Sequence, residues 1–380
     1  MRITCIAASQ IPSRTANSME VMKVCQAFVE LGHSVRLWVP GRDPAEERQL
    51  LKSNYGLRVE FPITWMPASP LLRRYDFSFH AVRQAQRWGA ELYYCWPLQA
   101  AAYSSMRNLP TVVEMHDLPK GRLGPRLLRR ALKGSGLKQV MPITRALKTC
   151  LSGEYGALFD EVGSVVLPSG VDLWQYENLP GPAEARAELG LRDSITAGYT
   201  GHLYEGRGMN MLLELAERCP EIQFIWAGGE RETVAQWKDR IAAQGLGNII
   251  LLGFVENRRL PMVQAACEAL LMPYERRISV SSGGDTARFA SPMKLFEYLA
   301  SGRAILSSDL PVFREVLNES NSILLPPEDV VAWSSALKDL MRDETRRRQL
   351  ARQARADASM YDWRARQETV LNALGASHAV

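Results

Sequence analysis

Short apolar runs alternate with amphipathic, helix-length stretches from one end of this chain to the other, and that alternation limits the fold more than any other feature. In the first half the runs are RITCIAA, SVRLWVP, ELYYCW, TVVEM, QVMPI and SVVLP; in the second they are ITAGYTG, IQFIWAGG, IILLGFV, ALLMPY, RAILSS and SILLP. Runs that are apolar on both faces suit strands covered on both sides, and helix-length connections between them make parallel βαβ units. Twelve such strands would make an unusually wide single sheet, and 380 residues exceed what one core normally serves. Two α/β domains are therefore expected.

The break falls between Val171 and Ser194, a stretch with a Pro-Gly turn and no strand run. We expect one Rossmann-like domain over residues 1–180 and a second over 195–352. A last amphipathic segment, 358–380, comes too late to add a strand and is expected to pack back as a helix.

Composition excludes several classes of function. No apolar run approaches the ~20 residues that cross a bilayer, and the first residues read as a strand rather than a leader, so a cytoplasmic chain is expected. The six cysteines are scattered without a C-x-x-C pair, and the five histidines form no H-x-x-x-H or H-E-x-x-H cluster, so neither a disulfide framework nor a zinc site is supported. No D-x-D occurs, so no metal clamp is expected. A formal charge of +5 tolerates anionic substrates, but no nucleic-acid motif accompanies it and no nucleic-acid partner is expected. The G-x-G-x-x-G fingerprint of dinucleotide enzymes is absent as well.

The segment ASPMKLFEYLASGRAILSSDLPVFREV carries the most chemistry. Ser291 reads as an N-cap, Pro292 as the first helical residue and Gly302 as the stop. A helix starting in a loop between parallel strands offers free N–H groups and a positive dipole end to an anion. Lys294 and Glu297 share one face of that helix; on their own they would read as a surface salt bridge.

This segment resembles the donor-binding motif of the family-4 retaining glycosyltransferases, P-x-K-x-x-E-x-x-A-x-G followed by a strand and D-x-P-x-x-x-E. The matching residues are Pro292, Lys294, Glu297, Ala300, Gly302, Asp309, Pro311 and Glu315. The resemblance continues through GYTGHLYEGRG, IQFIWAGGE, NIILLGFVENRRL, ITRALKTCLSGEYG and VVLPSGVDLWQYE, and so covers nearly the whole chain. It implies a GT-B fold: α/β, with two Rossmann-like domains whose parallel sheets face each other across a crevice. The first domain would bind the acceptor and the second the nucleotide sugar.

By the same resemblance, Glu297 holds the ribose hydroxyls, and backbone groups from Ser291, Pro292, Met293 and Lys294 approach the diphosphate. Gly228 lets the backbone come close to the nucleotide. The main chain of Gly253, Phe254 and Val255 holds the base. Relatives neutralise the leaving diphosphate with an Arg and a Lys; the matching positions here are His202 and Arg207, the histidine being a departure. Ser169 replaces the usual Asn of P-N-G-V-D. His116, at the end of TVVEM, would contact the donor sugar near its reacting carbon. A lone histidine is otherwise more often structural.

The loop after the first strand, with Arg14, Thr15 and Ala16, is expected to line the acceptor pocket and reach toward the diphosphate. Many relatives have an acid eight residues before the glutamate; here Phe289 stands there, and Asp285 is the nearest substitute. Two basic groups stand out in the first domain: Lys120, Arg122, Arg126, Arg129, Arg130, Lys133 and Lys138, and Arg73, Arg74, Arg83 and Arg87. The plain reading is a solvated face; the other is peripheral contact with anionic lipid, which would suit a lipid-linked acceptor. The implied function is retaining transfer of a sugar from a nucleotide diphosphate, UDP or GDP among the candidates, to a sugar or lipid-linked hydroxyl acceptor. Such a reaction serves glycan, polysaccharide or glycolipid synthesis. The domains would close over the donor, with the nucleotide sugar as co-substrate and no cofactor. Rival readings are a non-catalytic nucleotide-sugar-binding protein and a sugar-nucleotide 2-epimerase on the same fold.

Overall fold

A computed structural model of the protein describes all residues except 46, 70, 73, 279–286 and 377–380. The chain forms two compact units, Met1–Ser169 with Trp363–Val380, and Gly170–Asp362. Residues 170–180, assigned from the sequence to the first domain, belong to the second unit. Val171 and Tyr176 explain why: both are buried in that unit's core with Ala185.

The first unit holds a parallel sheet of β1 (Arg2–Ile6), β2 (Ser34–Pro40), β3 (Ile63–Met66), β4 (Leu92–Cys95), β5 (Thr111–Met115) and β6 (Leu137–Pro142). Its order is β3-β2-β1-β4-β5-β6. One strand was misplaced by the sequence pattern. SVVLP runs beside β6, with Val165 N–H donating to Val140 at 3.2 Å and Leu167 to Pro142 at 2.9 Å, but forms only an isolated bridge. The sixth strand is instead β3, at the opposite edge of the sheet, which pairs in parallel with β2.

The second unit repeats the plan with β7 (Thr196–Thr200), β8 (Gln223–Ala227), β9 (Ile249–Gly253), β10 (Ala269–Met272), β11 (Ala304–Ser308) and β12 (Ile323–Leu325), ordered β12-β11-β10-β7-β8-β9. Successive residues alternate between two cores. Ile225, Ala227, Leu270, Met272 and Ile305 face one, with Leu295, Phe296 and Leu299 of the helix Met293–Ser301. Phe224, Trp226, Ala269, Leu271 and Leu306 face the other, with Trp333 and Leu337 of the helix Val330–Arg342. Each large side chain withdrawn from water in this way contributes about 1.5–3 kcal/mol.

Both sheets follow the doubly wound order, and both therefore have a switch point where the connections reverse direction. Open α/β sheets bind ligands there, beyond the carboxyl ends of the strands. The switch lies between β1 and β4 in the first unit and between β7 and β10 in the second. Among the described residues no helix is long and apolar enough to cross a membrane.

Candidate functional site

The carboxyl edge of the second sheet is built from glycines. Gly201 follows β7, Gly228 follows β8, and Gly253 ends β9. Gly201 N–H donates to Ala227 at 2.8 Å, and Gly228 N–H to Gly253 at 2.6 Å, so the three turns run side by side. At Gly228, φ is +124°, and a Cβ there would strike the carbonyl oxygen of Gly201. Phe254 projects next to this edge and is 46% exposed, a large ring left in water beside the expected base site.

At the switch point, Tyr298 fixes the helix Met293–Ser301. Its hydroxyl accepts from Thr200 N–H at 2.8 Å and donates to Leu271 at 3.4 Å, joining the helix to β7 and β10. Lys294 lies one turn before Tyr298, and its side chain runs inward. The ammonium is buried with no hydrogen-bond partner among the described residues, 3.8 Å from the centroid of the Tyr199 ring and 5.4 Å from that of Tyr274. This excludes the exposed salt-bridge reading of Lys294 with Glu297. Gly201 has φ +138°, a conformation L side chains rarely adopt, and a Cβ there would push the end of the Lys294 side chain aside.

Arg207 approaches the same place from the β7 loop. Its guanidinium lies 4.7 Å from the Tyr274 centroid. Glu275 N–H donates to Gly206 at 3.1 Å and ties this loop to the one after β10. Burial disfavours the charge on Lys294 and Arg207 adds to that, so its pKa falls well below the ordinary lysine value despite the nearby Glu297. Glu297 also reaches Tyr176, whose hydroxyl is pushed upward mainly by burial and then by the Glu297 charge. Two cations and a carboxylate thus converge at the switch point, with the start of a nine-residue helix beside them.

Several expected details change. The helix begins at Met293 with Pro292 as its N-cap, in an extended conformation (φ −72°, ψ 130°) and with no side-chain cap bond. Ser291 therefore lies one residue outside the cap. His202 has its ring stacked on Tyr204, with centroids 4.7 Å apart and 4° between planes. Phe289 is buried, and Asp285 lies outside the described residues. Asp309 is clasped by Arg314, at 2.5 Å from Nε and 2.9 Å from a terminal nitrogen, so it locks the turn after β11.

The first unit holds a separate polar cluster at the end of β5. His116 is partly exposed, and its Nε2 lies 2.6 Å from Glu114. Its Nδ1 lies 3.8 Å from Glu20, which comes from the helix Ala16–Glu30. Arg366, on the helix Trp363–Ala376, pairs with Glu114 at 3.1 Å and with Glu20 at 3.5 Å. The tyrosine hydroxyl of Tyr94 also donates to Glu114. Glu20, Glu114 and His116 bring possible metal-ligand atoms within 4.8 Å of one another. Arg366 supplies one positive charge shared by the two carboxylates. Of the loop residues, Thr15 caps the helix by accepting from Ser18 N–H at 3.4 Å, and Arg14 and Ala16 are exposed.

Sequence reading missed Tyr199, Tyr274, Glu20, Glu114, Tyr94 and Arg366. Two signals were present: a glutamate inside the apolar run TVVEM, and tyrosines in or just after β7 and β10. Among the basic residues, Arg126, Arg129, Arg130 and Lys133 lie on the exposed side of the helix Gly124–Lys133, while Leu128, Ala131 and Leu132 are buried. Arg73 lies outside the described residues.

Two family models divide the chain in the order of these units. Residues 21–175 match "Glycosyltransferase Family 4", and residues 194–343 match "Glycosyl transferases group 1". Both units therefore match glycosyltransferase family models. It is 29% identical over 222 residues to a D-inositol 3-phosphate glycosyltransferase of Xylanimonas cellulosilytica, covering 55% of this chain and 50% of the relative. It is 25% identical over 211 residues to a phosphatidyl-myo-inositol mannosyltransferase of Mycolicibacterium smegmatis, covering 53% and 48%. The chain thus spans about half the length of these relatives. Among solved structures, sucrose-phosphate synthase from Thermosynechococcus elongatus superposes with a TM-score of 0.75 at 16% identity, over 99% of both chains. HepE of Anabaena, solved in complex with UDP, gives 0.75 at 18% identity, over 99% of this chain and 100% of that one. These likenesses show a shared GT-B fold.

Proposed function

We propose that the chain is a retaining glycosyltransferase that moves a sugar from a nucleotide diphosphate to a hydroxyl acceptor. The observation that carries this reading is the pair of cations, Arg207 and Lys294, brought against one tyrosine ring at the switch point of the second sheet. Positive groups fixed in a partly water-excluded site stabilise charge that grows on a leaving group without reorganising during the reaction. In this chain the diphosphate clamp is Arg207 with Lys294, aided by the amide groups at the start of the helix Met293–Ser301.

Glu297, one turn along, accepts from the two vicinal ribose hydroxyls. Gly228 and Gly253 let the nucleotide approach the main chain, and Phe254 offers the base an exposed face. In the reaction, the bond from the anomeric carbon to the diphosphate oxygen breaks. The acceptor oxygen bonds to that carbon on the same face, and its proton passes to the departing diphosphate. His116 serves the donor sugar in this reading. Because the clamp is made of side-chain and backbone groups, transfer proceeds without a divalent ion.

Calorimetric titration with UDP, GDP and ADP, all in excess EDTA, tests the site. One nucleotide should bind in the presence of the chelator, and UDP is the first to try because the Anabaena neighbour was solved with it. Binding of none, or only on adding magnesium, would contradict the reading. Slow release of free sugar with retained anomeric configuration separates a transferase from a non-catalytic binder, and a changed sugar still attached to nucleotide would indicate the epimerase. A lipid-linked acceptor would suit the basic face of the helix Gly124–Lys133; co-sedimentation with anionic vesicles that is lost at high salt tests that part.

A further inference from the structure

A glutamate inside the apolar strand β5 organises the polar interior of the first unit. Glu114 is fully buried, and an ionised carboxylate only accepts hydrogen bonds. Burial opposes its charge, but Arg366, His116 and Tyr94 outweigh that and hold its pKa down at about 2. The 2.6 Å contact with His116 therefore requires a proton on Nε2. The second ring nitrogen, Nδ1, faces Glu20 at 3.8 Å, too far for a hydrogen bond yet close enough for its charge to favour a proton there as well.

The charges in the cluster support the same state. Two buried carboxylates meet one guanidinium, so an uncharged imidazole would leave an uncompensated negative charge in the interior. An imidazolium brings the cluster to neutrality. The remaining groups that face the ring do not alter this count. Tyr94 stays a neutral hydroxyl, its ionisation opposed by burial and then by Glu114. Asp117, next in the chain, is paired with Lys120 at 2.6 Å. Arg366 is itself fixed by donating to the carbonyls of Pro168 at 2.6 Å and Leu167 at 3.2 Å, and Ser169 donates to Glu20 at 3.3 Å.

We infer that Glu20 and Glu114 are positioning residues that hold His116 as a doubly protonated imidazolium, with Nε2–H committed to Glu114 and Nδ1–H left as the donor a ligand meets. His116 then acts as a cationic hydrogen-bond donor and not as a base. The inference rests on the glycosyltransferase reading only for its kinetic consequence. Burial works against the charged ring, but the two glutamates outweigh it and raise its pKa above the ordinary histidine value.

The test is an NMR titration of the ligand-free full chain. The five histidines, His33, His80, His116, His202 and His378, give separate imidazole signals, and the one missing in His116→Gln is His116. It should titrate above the ordinary value of about 6.5. Its midpoint should fall in Glu20→Gln and in Glu114→Gln. Both variants should lower kcat about tenfold or more while KM moves less than about twofold, and the alkaline limb of the kcat profile should shift to lower pH with the midpoint. If Glu114→Gln does not fold, Glu20→Gln decides, since that carboxylate makes only long-range contact with the ring. A wild-type midpoint at or below 6.5, or one that Glu20→Gln leaves in place, overturns the inference. The titration needs no substrate: a raised midpoint in a chain that binds no nucleotide would sink the transferase reading and leave this one standing.

Discussion

Arg207 and Lys294 face the same aromatic ring: the guanidinium carbon lies 4.7 Å and the ammonium nitrogen 5.4 Å from the centroid of Tyr274. Burial and the neighbouring Arg207 charge both disfavour the charged form of Lys294 until an anion arrives. The free protein therefore carries electrostatic strain that a diphosphate would relieve, and binding and stability should respond in opposite directions to the loss of either charge.

Lys294→Met is the sharpest case. The buried ammonium has no hydrogen-bond partner among the described residues, only the two tyrosine rings. A cation over a desolvated ring recovers up to ~2 kcal/mol, against ~1–3 kcal/mol for a buried unpaired polar group and more for a charge. Replacing it with an apolar chain of similar shape should raise the melting temperature of the second unit in the free protein. Nucleotide affinity should fall at least tenfold, or about 1.4 kcal/mol. Scanning calorimetry with and without nucleotide checks both; a destabilised variant with normal affinity would make Lys294 a packing residue.

Glu297→Ala should remove nucleotide binding without unfolding the chain. It is only partly buried, on a helix that Leu295, Phe296, Tyr298 and Leu299 hold in the core. The expected loss is about 1.5–3 kcal/mol, that of a hydrogen bond to a charged group. Unchanged affinity for the nucleoside, measured by calorimetry, would remove the ribose assignment.

How much of this was readable beforehand depends on the range over which each contact is specified. All six strands of the second unit announce themselves as apolar runs: β7, β8, β10 and β11 are buried throughout, and the partly exposed edge strands β9 and β12 still read IILLG and ILL. β3 does not: ITWM is partly exposed throughout and bracketed by Pro62 and Pro67, so it looks like a punctuated loop. The loop glycines and Glu297 were visible as a local motif. The two rings under Lys294 were not, since Tyr199 and Tyr274 come from different strands and meet only when β7 and β10 pair. Arg366 is harder still. Its partners Glu20 and Glu114 lie hundreds of residues away in sequence, and no spacing rule joins them.

The cluster around His116 predicts how stability changes with pH. A histidine whose folded pKa is raised contributes stability that is complete below its unfolded value, about 6.5, and is lost as pH rises through the folded value. Glu20, raised mainly by burial, acts in the same direction. Glu114, held down at about 2, contributes stability present above its ordinary value and lost only as pH falls toward 2. Wild type should therefore exceed His116→Gln in stability most below about pH 6.5, with the gap closing as pH rises through the raised folded value. A gap that stays constant over that range in thermal or denaturant unfolding would mean the ring is not charged in the fold.

The last prediction concerns which residue meets the leaving diphosphate. If Arg207 stabilises charge that grows as the diphosphate departs, its contribution is larger in the transition state than in the ground state. Arg207→Ala should then lower kcat by roughly 10²–10³ and raise KM much less. Arg207→Lys should recover part of the loss, since a point charge remains although the planar fork is gone. The ring of His202 is stacked on Tyr204, and in the proposed clamp the second charge comes from Lys294 instead. His202→Ala should therefore cost less than about tenfold, an effect smaller than that of one preorganised donor. Steady-state kinetics on the variants decides between the arrangements. Near-normal turnover in Arg207→Ala together with a collapse in His202→Ala would make the histidine the leaving-group contact. Loss in neither would place the whole burden on Lys294 and the amide groups at the start of its helix.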